Sequence, residues 1–518
     1  MKIVSVEQMI ASEQAANRAG IAYETMMDRA GRGVAEWVLA HLDCRLGVVG
    51  LVGSGNNGGD TLIALTGLSA RGLRTGAFLV RPREENALVE AYLAQGGVVI
   101  DLSAGQSLAY FQAYLDEGAV VLDGMLGTGF RLPLRGALAQ VMAEIQSCIQ
   151  QQPGLQVVAV DCPSGVDCDT GEASPLCLPA SHTLTMAAVK QGLLKPPANA
   201  LAGEIHRIDI GISILAGGPA ATLPEMVDRQ MAAGILPERP EAGHKGTFGT
   251  ALILAGSRPY TGAAYLSGKA AYRAGCGLVQ MATLPAVQRG LSGRLIEAIW
   301  TLLPEKGGGY DRSGAGRLES ALNTVQSLAL GPGWGLQDEN QAFLEALLLL
   351  LPPNLPTVID ADGLKLLSKI PHWWEKMPAH SILTPHPGEM ATLTGLSTAE
   401  IQSQRWEIAQ QFAQKWRVVL VLKGALTVIA MPDGRRFVNP VSDSALGTAG
   451  SGDVLTGIIG GLLAQGLAQD QTALLGVWLH GQAGQISHQR LGGPQSVTAL
   501  DILDAVPAAF EATNKAGH

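Results

Sequence analysis

The stretch Leu46-Gly47-Val48-Val49-Gly50-Leu51-Val52-Gly53-Ser54-Gly55-Asn56-Asn57-Gly58-Gly59-Asp60 decides the fold of the first half of the chain. Its apolar, β-branched opening predicts a strand over 46–52. Glycines and asparagines follow directly, and a helix-like pattern runs over 60–71. Strand, glycine-rich turn and helix together make a Rossmann-like phosphate turn. The glycines let backbone N–H groups approach an anion, and the asparagine amides add donors and acceptors. Gly53 and Gly55 begin like the common G-x-G-x-x-G fingerprint, but the remainder departs from it.

The same alternation extends outward from this turn. Short apolar runs over 75–80, 97–101, 119–125 and 155–160 alternate with helix-like stretches over 87–95 and 137–146. This predicts a mostly parallel sheet covered on both faces. Residues 8–41 read as mostly helical with a break at Gly20, and the polar–apolar alternation over 204–210 reads as an edge strand. Two more segments fall at strand C-termini, where open α/β sheets place their ligands. They are Leu122-Asp123-Gly124-Met125-Leu126-Gly127-Thr128-Gly129-Phe130 and Val160-Asp161-Cys162-Pro163-Ser164-Gly165-Val166-Asp167. Their carboxylate, amide and hydroxyl oxygens suit a hard cation, and a carboxylate beside a substrate suits proton transfer.

Residues 216–222 are rich in Gly, Ala and Pro, which places a domain boundary near 218 and gives domains 1–218 and 219–518. The second domain repeats the α/β pattern. Strands are expected over 250–255, 278–283, 327–330, 357–360, 381–384 and 418–423, with a helix over 262–273. Pro432-Asp433-Gly434 between two apolar runs signals a hairpin. Gly447-Thr448-Ala449-Gly450-Ser451-Gly452-Asp453 then heads a glycine-rich buried helix over 454–465. N–H groups at such a helix start stabilise negative charge on a phosphate in flight, and Asp453 can accept a proton from an attacking hydroxyl.

Composition bounds the alternatives. At 518 residues the chain is long enough for about two to four domains. With 47% hydrophobic residues and 65 glycines it favours close-packed α/β layers over disorder. The net charge is −9, and no basic block offers a nucleic-acid footprint. No apolar h-region follows Met1, and the most apolar run, 346–351, is too short to span a membrane and reads as buried helix. A cytoplasmic protein with neither membrane nor nucleic-acid partner is expected. The six cysteines form no C-x-x-C pair, so reduced, partly buried thiols are expected.

The strings GSGNNGGD, LDGMLGTG and DCPSGVDCDTG, in this order, resemble the NAD(P)H-hydrate epimerase domain over about residues 1 to 215. The resemblance implies interconversion of the R and S epimers of nicotinamide cofactor hydrated at C6, NADHX and NADPHX. It also implies a potassium ion held by Asn57, Asp123 and Ser164. Asn56, Asn57, Gly58, Gly59 and Asp60 would cradle substrate together with Gly127, Thr128, Gly129, Phe130, Arg131, Leu132 and Pro133. Asp161 would contact the reacting end. The family usually reads Gly-Asn-Gly-Asn-Asn-Gly-Gly-Asp-Gly. Here Ser54 replaces the first Asn and keeps a polar group, while Thr61 replaces the final Gly and is expected to narrow the turn.

HKGTFG at 244–249, YTGAA at 260–264, GPG at 331–333, DADG at 360–363, TPHPGEM at 384–390 and GTAGSGDVLTG at 447–457 together resemble the ADP/ATP-dependent NAD(P)H-hydrate dehydratase, a ribokinase-like α/β domain, over roughly residues 225 to 510. This implies phosphoryl transfer to the C6 hydroxyl and elimination to NAD(P)H, with Asp453 as base and Gly450, Ser451 and Gly452 as anion hole. Lys423, Gly424, Ala425, Leu426 and Thr427, with Asp443, Gly447, Thr448 and Ala449, would contact the nucleotide. Ala263 or Ala264, Gly333 and His386 would line the hydrate site. Likeness to bacterial members favours ADP over ATP, and Mg²⁺ is expected with the donor phosphates. A closed homo-oligomer also suits an Ala/Gly-rich chain of this type. Two rival readings remain open here. One is a ribokinase-like small-molecule kinase with an appended nucleotide-binding module, which would release a phosphorylated product. In the other the first domain is only a sensing or protein-binding module.

Overall fold

The computed structural model describes residues 1–83, 87–104, 108–152, 154–215 and 222–514. It divides into two compact units, Met1–Leu223 and Pro224–His518. The boundary expected near 218 lies outside the described residues.

In the first unit, seven parallel strands run in the order Val98–Asp101, Thr75–Leu79, Val48–Val52, Val120–Gly124, Val157–Val160, His182–Met186 and Glu204–Ile208. The earliest of these, Val48–Val52, lies inside the sheet, and strand order reverses between it and Val120–Gly124. Open α/β sheets bind ligands at the carboxyl ends beside such a reversal. Both faces are covered, as the continuous apolar runs require: Val48 and Val52 enter one hydrophobic cluster, while Val49 and Leu51 enter another. The helical stretch at the start is two helices, Val6–Arg18 and Tyr23–His41, separated at Gly20 (φ +98°). Ser5 and Gln8 close a capping box on the first.

The second unit carries a ten-stranded sheet in the order Glu225–Met226, Arg436–Val438, Val428–Ala430, Val419–Leu422, Ser381–Leu383, Thr357–Ile359, Ser327–Leu330, Thr250–Leu254, Leu278–Thr283 and Ile299–Leu302. All neighbours are parallel except at the hairpin Val428–Ala430/Arg436–Val438 and its junction with Val419–Leu422. The helix Ser451–Ala464 is buried along nearly its whole length. Its glycines explain how: a Cβ on Gly457 would stand 2.2 Å from the Ser267 carbonyl oxygen, and one on Gly461 2.5 Å from that of Ala271. The helix Thr261–Arg273 is thereby brought into backbone contact. Gly457→Ala is expected to lose about 1–3 kcal/mol through overpacking, more than helix propensity returns; thermal unfolding of the variant measures it.

The apolar run 346–351 is only partly as expected. The helix Asp338–Leu348 ends inside it, and Leu349 is 75% exposed. Among the described residues no helix is long and apolar enough to cross a membrane. All six cysteines are free thiols; burial pushes Cys177 and Cys276 up to about 12.

Candidate active sites

In the first unit, three strand ends converge. Asn57, in the first turn of the helix Asn56–Ser69, donates from Nδ2 to the carbonyls of Val160 (2.7 Å) and Leu126 (3.2 Å). The Leu126 N–H donates to Ser164 Oγ (2.9 Å). Ser164 in turn donates from Oγ (2.5 Å) and from its backbone N–H (2.8 Å) to the carboxylate of Asp123, which is fully buried. Asn57, Asp123 and Ser164 therefore form one oxygen-rich cluster, joined by the Leu126 and Val160 carbonyls. Desolvation raises the Asp123 carboxyl above its ordinary range, opposed by the Ser164 bonds. Among the described residues no basic side chain pairs with it. A buried carboxylate surrounded by neutral oxygens, without a cationic partner, fits a monovalent hard cation.

Asp161 directly follows the strand Val157–Val160 with φ +65°, a left-handed conformation that a non-glycine residue adopts at a cost. That backbone places its carboxylate on the ammonium of Lys190, which is wholly buried and also donates to Thr185 Oγ1 (3.2 Å) and the Met186 carbonyl (3.1 Å). Burial alone would depress Lys190; the charge and hydrogen bond of Asp161 outweigh it and hold the ammonium protonated. Two more carboxyls feel this pair. Asp60 is raised well above its ordinary range by burial and by the charges of Asp161 and Glu13, and Glu13 is raised chiefly by burial. A carboxyl raised by burial and an ion-paired carboxylate thus lie in one electrostatic cluster. Lys190 and Glu13 went unnoticed in the sequence.

The turn over 53–60 is tight. A Cβ on Gly58 would lie 2.1 Å from the Gly53 carbonyl oxygen, and Arg83 Nη1 donates to the carbonyls of Gly53 (2.6 Å) and Gly55 (3.2 Å). Gly127 adjoins Asn57, since its Cβ would stand 2.6 Å from Asn57 Oδ1. The stretch from Thr128 to Pro133 leaves this buried cluster toward the half-exposed surface. Thr61 does not narrow the turn. Its methyl and hydroxyl fill space left by Gly50 and Gly124, and Oγ1 donates to the Asn57 carbonyl (2.7 Å).

In the second unit the hub is Asp360, 1% exposed, at the end of the strand Thr357–Ile359. Its carboxylate accepts from Lys423 Nζ (2.6 Å) and Thr456 Oγ1 (2.7 Å). Burial would depress Lys423, but Asp360 and Glu389 together outweigh it. Glu389 lies 3.9 Å from Lys423 Nζ and 3.3 Å from His386 Nε2. His386 Nδ1 accepts from the N–H groups of Gly388 and Glu389, capping the helix Pro387–Thr394. Burial, only partly offset by Glu389, holds this histidine below its ordinary value.

Asp453 lies in the first turn of the helix Ser451–Ala464, whose cap Gly450 is left-handed at φ +89°. A Cβ on Gly452 would lie 3.3 Å from Lys423 Nζ and 3.4 Å from Asp360 Oδ2, so this turn abuts the hub. Burial and the charge of Asp360, partly offset by Lys423, raise Asp453 to about 7. Buried His480 supports the turn from the helix Gln469–Leu491: its Nε2 lies 3.0 Å from both Ser451 Oγ and the Ser451 carbonyl oxygen, and burial holds it down at about 4.

The other expected residues fall into smaller groups. The 423–427 loop is fixed by Arg405, which donates to the Leu422 (3.0 Å) and Lys423 (3.2 Å) carbonyls, and by Thr427 Oγ1 on the Gly424 carbonyl (3.0 Å). Leu426 takes φ +57°. Asp443 pairs with His488 Nδ1 (2.9 Å) and starts the turn Ser444–Gly447. Gly447 and Ala449 are exposed, as an approaching ligand needs. Gly333 abuts Ala263: its Cβ would stand 2.7 Å from that of Ala263. Ala264 is fully buried and faces Gly256 instead. Asp360, Glu389 and Thr456 fall within the quoted motifs but were given no role there, and Arg405 and His480 were not singled out from the sequence.

Two glycine-rich turns, each with a carboxylate beside it at the carboxyl ends of parallel strands, mark a two-unit α/β enzyme with a candidate site in each unit. The family model for NAD(P)H-hydrate dehydratase matches residues 251–508, and that for the YjeF-related protein N-terminus matches residues 23–192. The chain is 37% identical over 493 residues to the bifunctional NAD(P)H-hydrate repair enzyme Nnr of Moorella thermoacetica, covering 93% of this chain and 91% of that one. It is 33% identical over 523 residues to the enzyme of the same name from Thermofilum pendens, covering 99% and 97%. Among solved structures, the ADP/ATP-dependent NAD(P)H-hydrate dehydratase of Bacillus subtilis, co-crystallized with ATP/Mg²⁺, aligns at 32% identity and TM-score 0.48, over 56% of this chain and 99% of that chain. The chain belongs to the family of bifunctional NAD(P)H-hydrate repair enzymes.

Proposed function

We propose that the first unit interconverts R- and S-NAD(P)HX, and that the second converts S-NAD(P)HX to NAD(P)H at the expense of ADP or ATP. The observation that carries this reading is the pairing of two separate acid–base centres, Asp161 and Asp453, each beside a glycine-rich anion turn, in a chain whose near-full-length relatives bear the repair-enzyme name.

In the second unit, Asp453 takes the proton of the C6 hydroxyl as the hydroxyl oxygen bonds to the terminal phosphorus of the donor. The donor's P–O bond breaks, and the N–H groups of Gly450 and Gly452, with that of Asp453, face the charge that develops, while that of Ser451, expected with them, donates to the Thr448 carbonyl (3.3 Å). Lys423 adds positive charge beside them. Phosphate then leaves C6, the neighbouring carbon loses a proton, and the ring double bond returns. Products are NAD(P)H, phosphate and AMP, or ADP when ATP is the donor. Mg²⁺ comes with the donor phosphates. Lys423 to Thr427 and Asp443 to Gly452 line the nucleotide, while Ala263, Gly333 and His386 line the hydrate.

In the first unit, C6 bears both a hydroxyl and the ring nitrogen, so breaking and remaking one C6 bond inverts it. Asp60, whose carboxyl burial raises, as acid and Asp161 as base, held by Lys190, supply the donor and acceptor this needs. Asn56 to Asp60 and Gly127 to Pro133 cradle the nucleotide portion. Asn57, Asp123 and Ser164 would hold a potassium ion, which supplies the positive charge that buried Asp123 lacks.

A base must be ionised to act. With Asp453 at about 7, dehydratase kcat/KM is expected to fall about tenfold per unit as pH drops below about 7 and to level off above it. Initial rates of ADP-dependent NADH formation from S-NADHX across this range test the assignment. A flat profile removes Asp453 as base. Accumulation of a stable phosphorylated product without NADH would instead make the second unit a small-molecule kinase.

A further inference from the structure

Away from both sites, three metal-ligating side chains meet on the outer strands of the first unit's sheet. The parallel register of His182–Met186 and Glu204–Ile208 pairs His182 with Glu204 and Leu184 with His206. Side chains two apart on a strand share a face, so His182, Glu204 and His206 stand together. His182 Nδ1 lies 3.3 Å from His206 Nε2. Glu204 Oε2 lies 3.9 Å from the first and 3.7 Å from the second.

These separations match a known coordination geometry. At tetrahedral zinc with Zn–N of about 2.0–2.1 Å, neighbouring ligand atoms stand about 3.3–3.4 Å apart. The N···N edge already has this length, and Glu204, its side chain 69% exposed, closes the remaining few tenths of an ångström by side-chain rotation. The imidazoles are held in place beforehand. Trp37, on the helix Tyr23–His41, packs on both rings with centroids at 5.0 and 4.7 Å, and is itself backed by His41 stacked at 4.5 Å. His41 Nδ1 is engaged by the Trp37 carbonyl at 2.8 Å, and the ligand atoms that all lie within 4.8 Å of one another are those of His182, Glu204 and His206.

We propose that His182, Glu204 and His206 bind one divalent transition-metal ion of the zinc class, with water in the fourth position. Two imidazoles and one carboxylate suit Zn²⁺, Ni²⁺ or Cu²⁺ and not Mg²⁺, in contrast to the all-oxygen cluster around Asp123. A bound ion ties the edge strand to its neighbour and stabilises the folded first unit by mass action.

The test titrates tag-free, metal-stripped full-length protein with Co²⁺ and then Zn²⁺. One Co²⁺ per chain is expected, with the visible absorption of a tetrahedral site. Zn²⁺ should displace it, Mg²⁺ should not, and the melting temperature should rise with Zn²⁺. His182→Gln with His206→Gln should lower affinity at least about tenfold, the loss that even an outer-shell change causes at zinc sites. Glu204→Gln, which keeps the size of an exposed side chain, should weaken binding while circular dichroism stays unchanged. Absence of the Co²⁺ band, equal competition by Mg²⁺, or undiminished affinity in the Glu204 and double-histidine variants would each overturn the proposal.

Discussion

Asp453→Ala is expected to slow nucleotide-dependent recovery of NADH from S-NADHX by at least about a hundredfold, the lower range for loss of a general base. Interconversion of R- and S-NADHX should be unchanged. Asp453 is half-buried at a helix start and shares its surroundings with Asp360 and Lys423. Among the described residues no hydrogen bond of its carboxylate holds the fold, and its loss removes a charge that burial disfavours. The variant should therefore fold, bind nucleotide and lose chemistry, so that kcat drops with little change in nucleotide KM. Asp453→Asn should behave alike and lose the pH dependence as well. Chromatographic resolution of the epimers and NADH absorbance follow both activities in one sample. An Asp453→Ala protein that still dehydrates at the parent rate would remove this residue from the mechanism.

The second large effect is at Asp161. Asp161→Asn should bring epimerisation to the spontaneous rate, again a loss of at least about a hundredfold, and leave dehydration of S-NADHX intact. Asparagine tolerates the left-handed backbone at φ +65° better than alanine does. The substitution also strands Lys190, a wholly buried ammonium, and breaking one half of a buried pair costs about 3–5 kcal/mol. Reduced thermal stability of the first unit is therefore expected alongside lost activity. Asp161→Asn combined with Lys190→Met removes both charges. It should regain much of the stability without regaining epimerisation, which separates chemistry from folding. Recovery of epimerisation in that double variant would mean that the carboxylate acts only on the fold.

The two turns could be read from sequence because their information is local. A glycine run after an apolar strand fixes where N–H groups gather, as at 53–60, and a G-x-G-D start fixes where a helix points its dipole, as at 450–453. Asp123, Asp161 and Ser164 were legible for a related reason: Asp123 ends the apolar run of the strand Val120–Gly124, Asp161 directly follows the strand Val157–Val160, and Ser164 lies in the turn after it. Their partners were not legible. Lys190 reaches Asp161 through the two-residue strand Val189–Lys190, which pairs with Ile3–Val4 at the opposite end of the unit's sequence. No local pattern marks so short an element. Asp360 ends a strand just as Asp161 does, yet Lys423 and Thr456, which make it a hub, lie 63 and 96 residues away. Buried His480 sits on the helix Gln469–Leu491, whose apolar residues form no single stripe because it is covered nearly all round. The edge strand Ile299–Leu302 escaped notice because its side chains are half-exposed and carry no buried-strand signature.

The central claim is that one chain performs both steps on one damaged cofactor. Mixed R- and S-NADHX, incubated with the intact protein and with ADP, ATP or neither, should return reduced nicotinamide absorbance in full, only when nucleotide is present, and faster than spontaneous epimerisation supplies the S form. Recovery that stops at the S fraction, or none with either nucleotide, would contradict it.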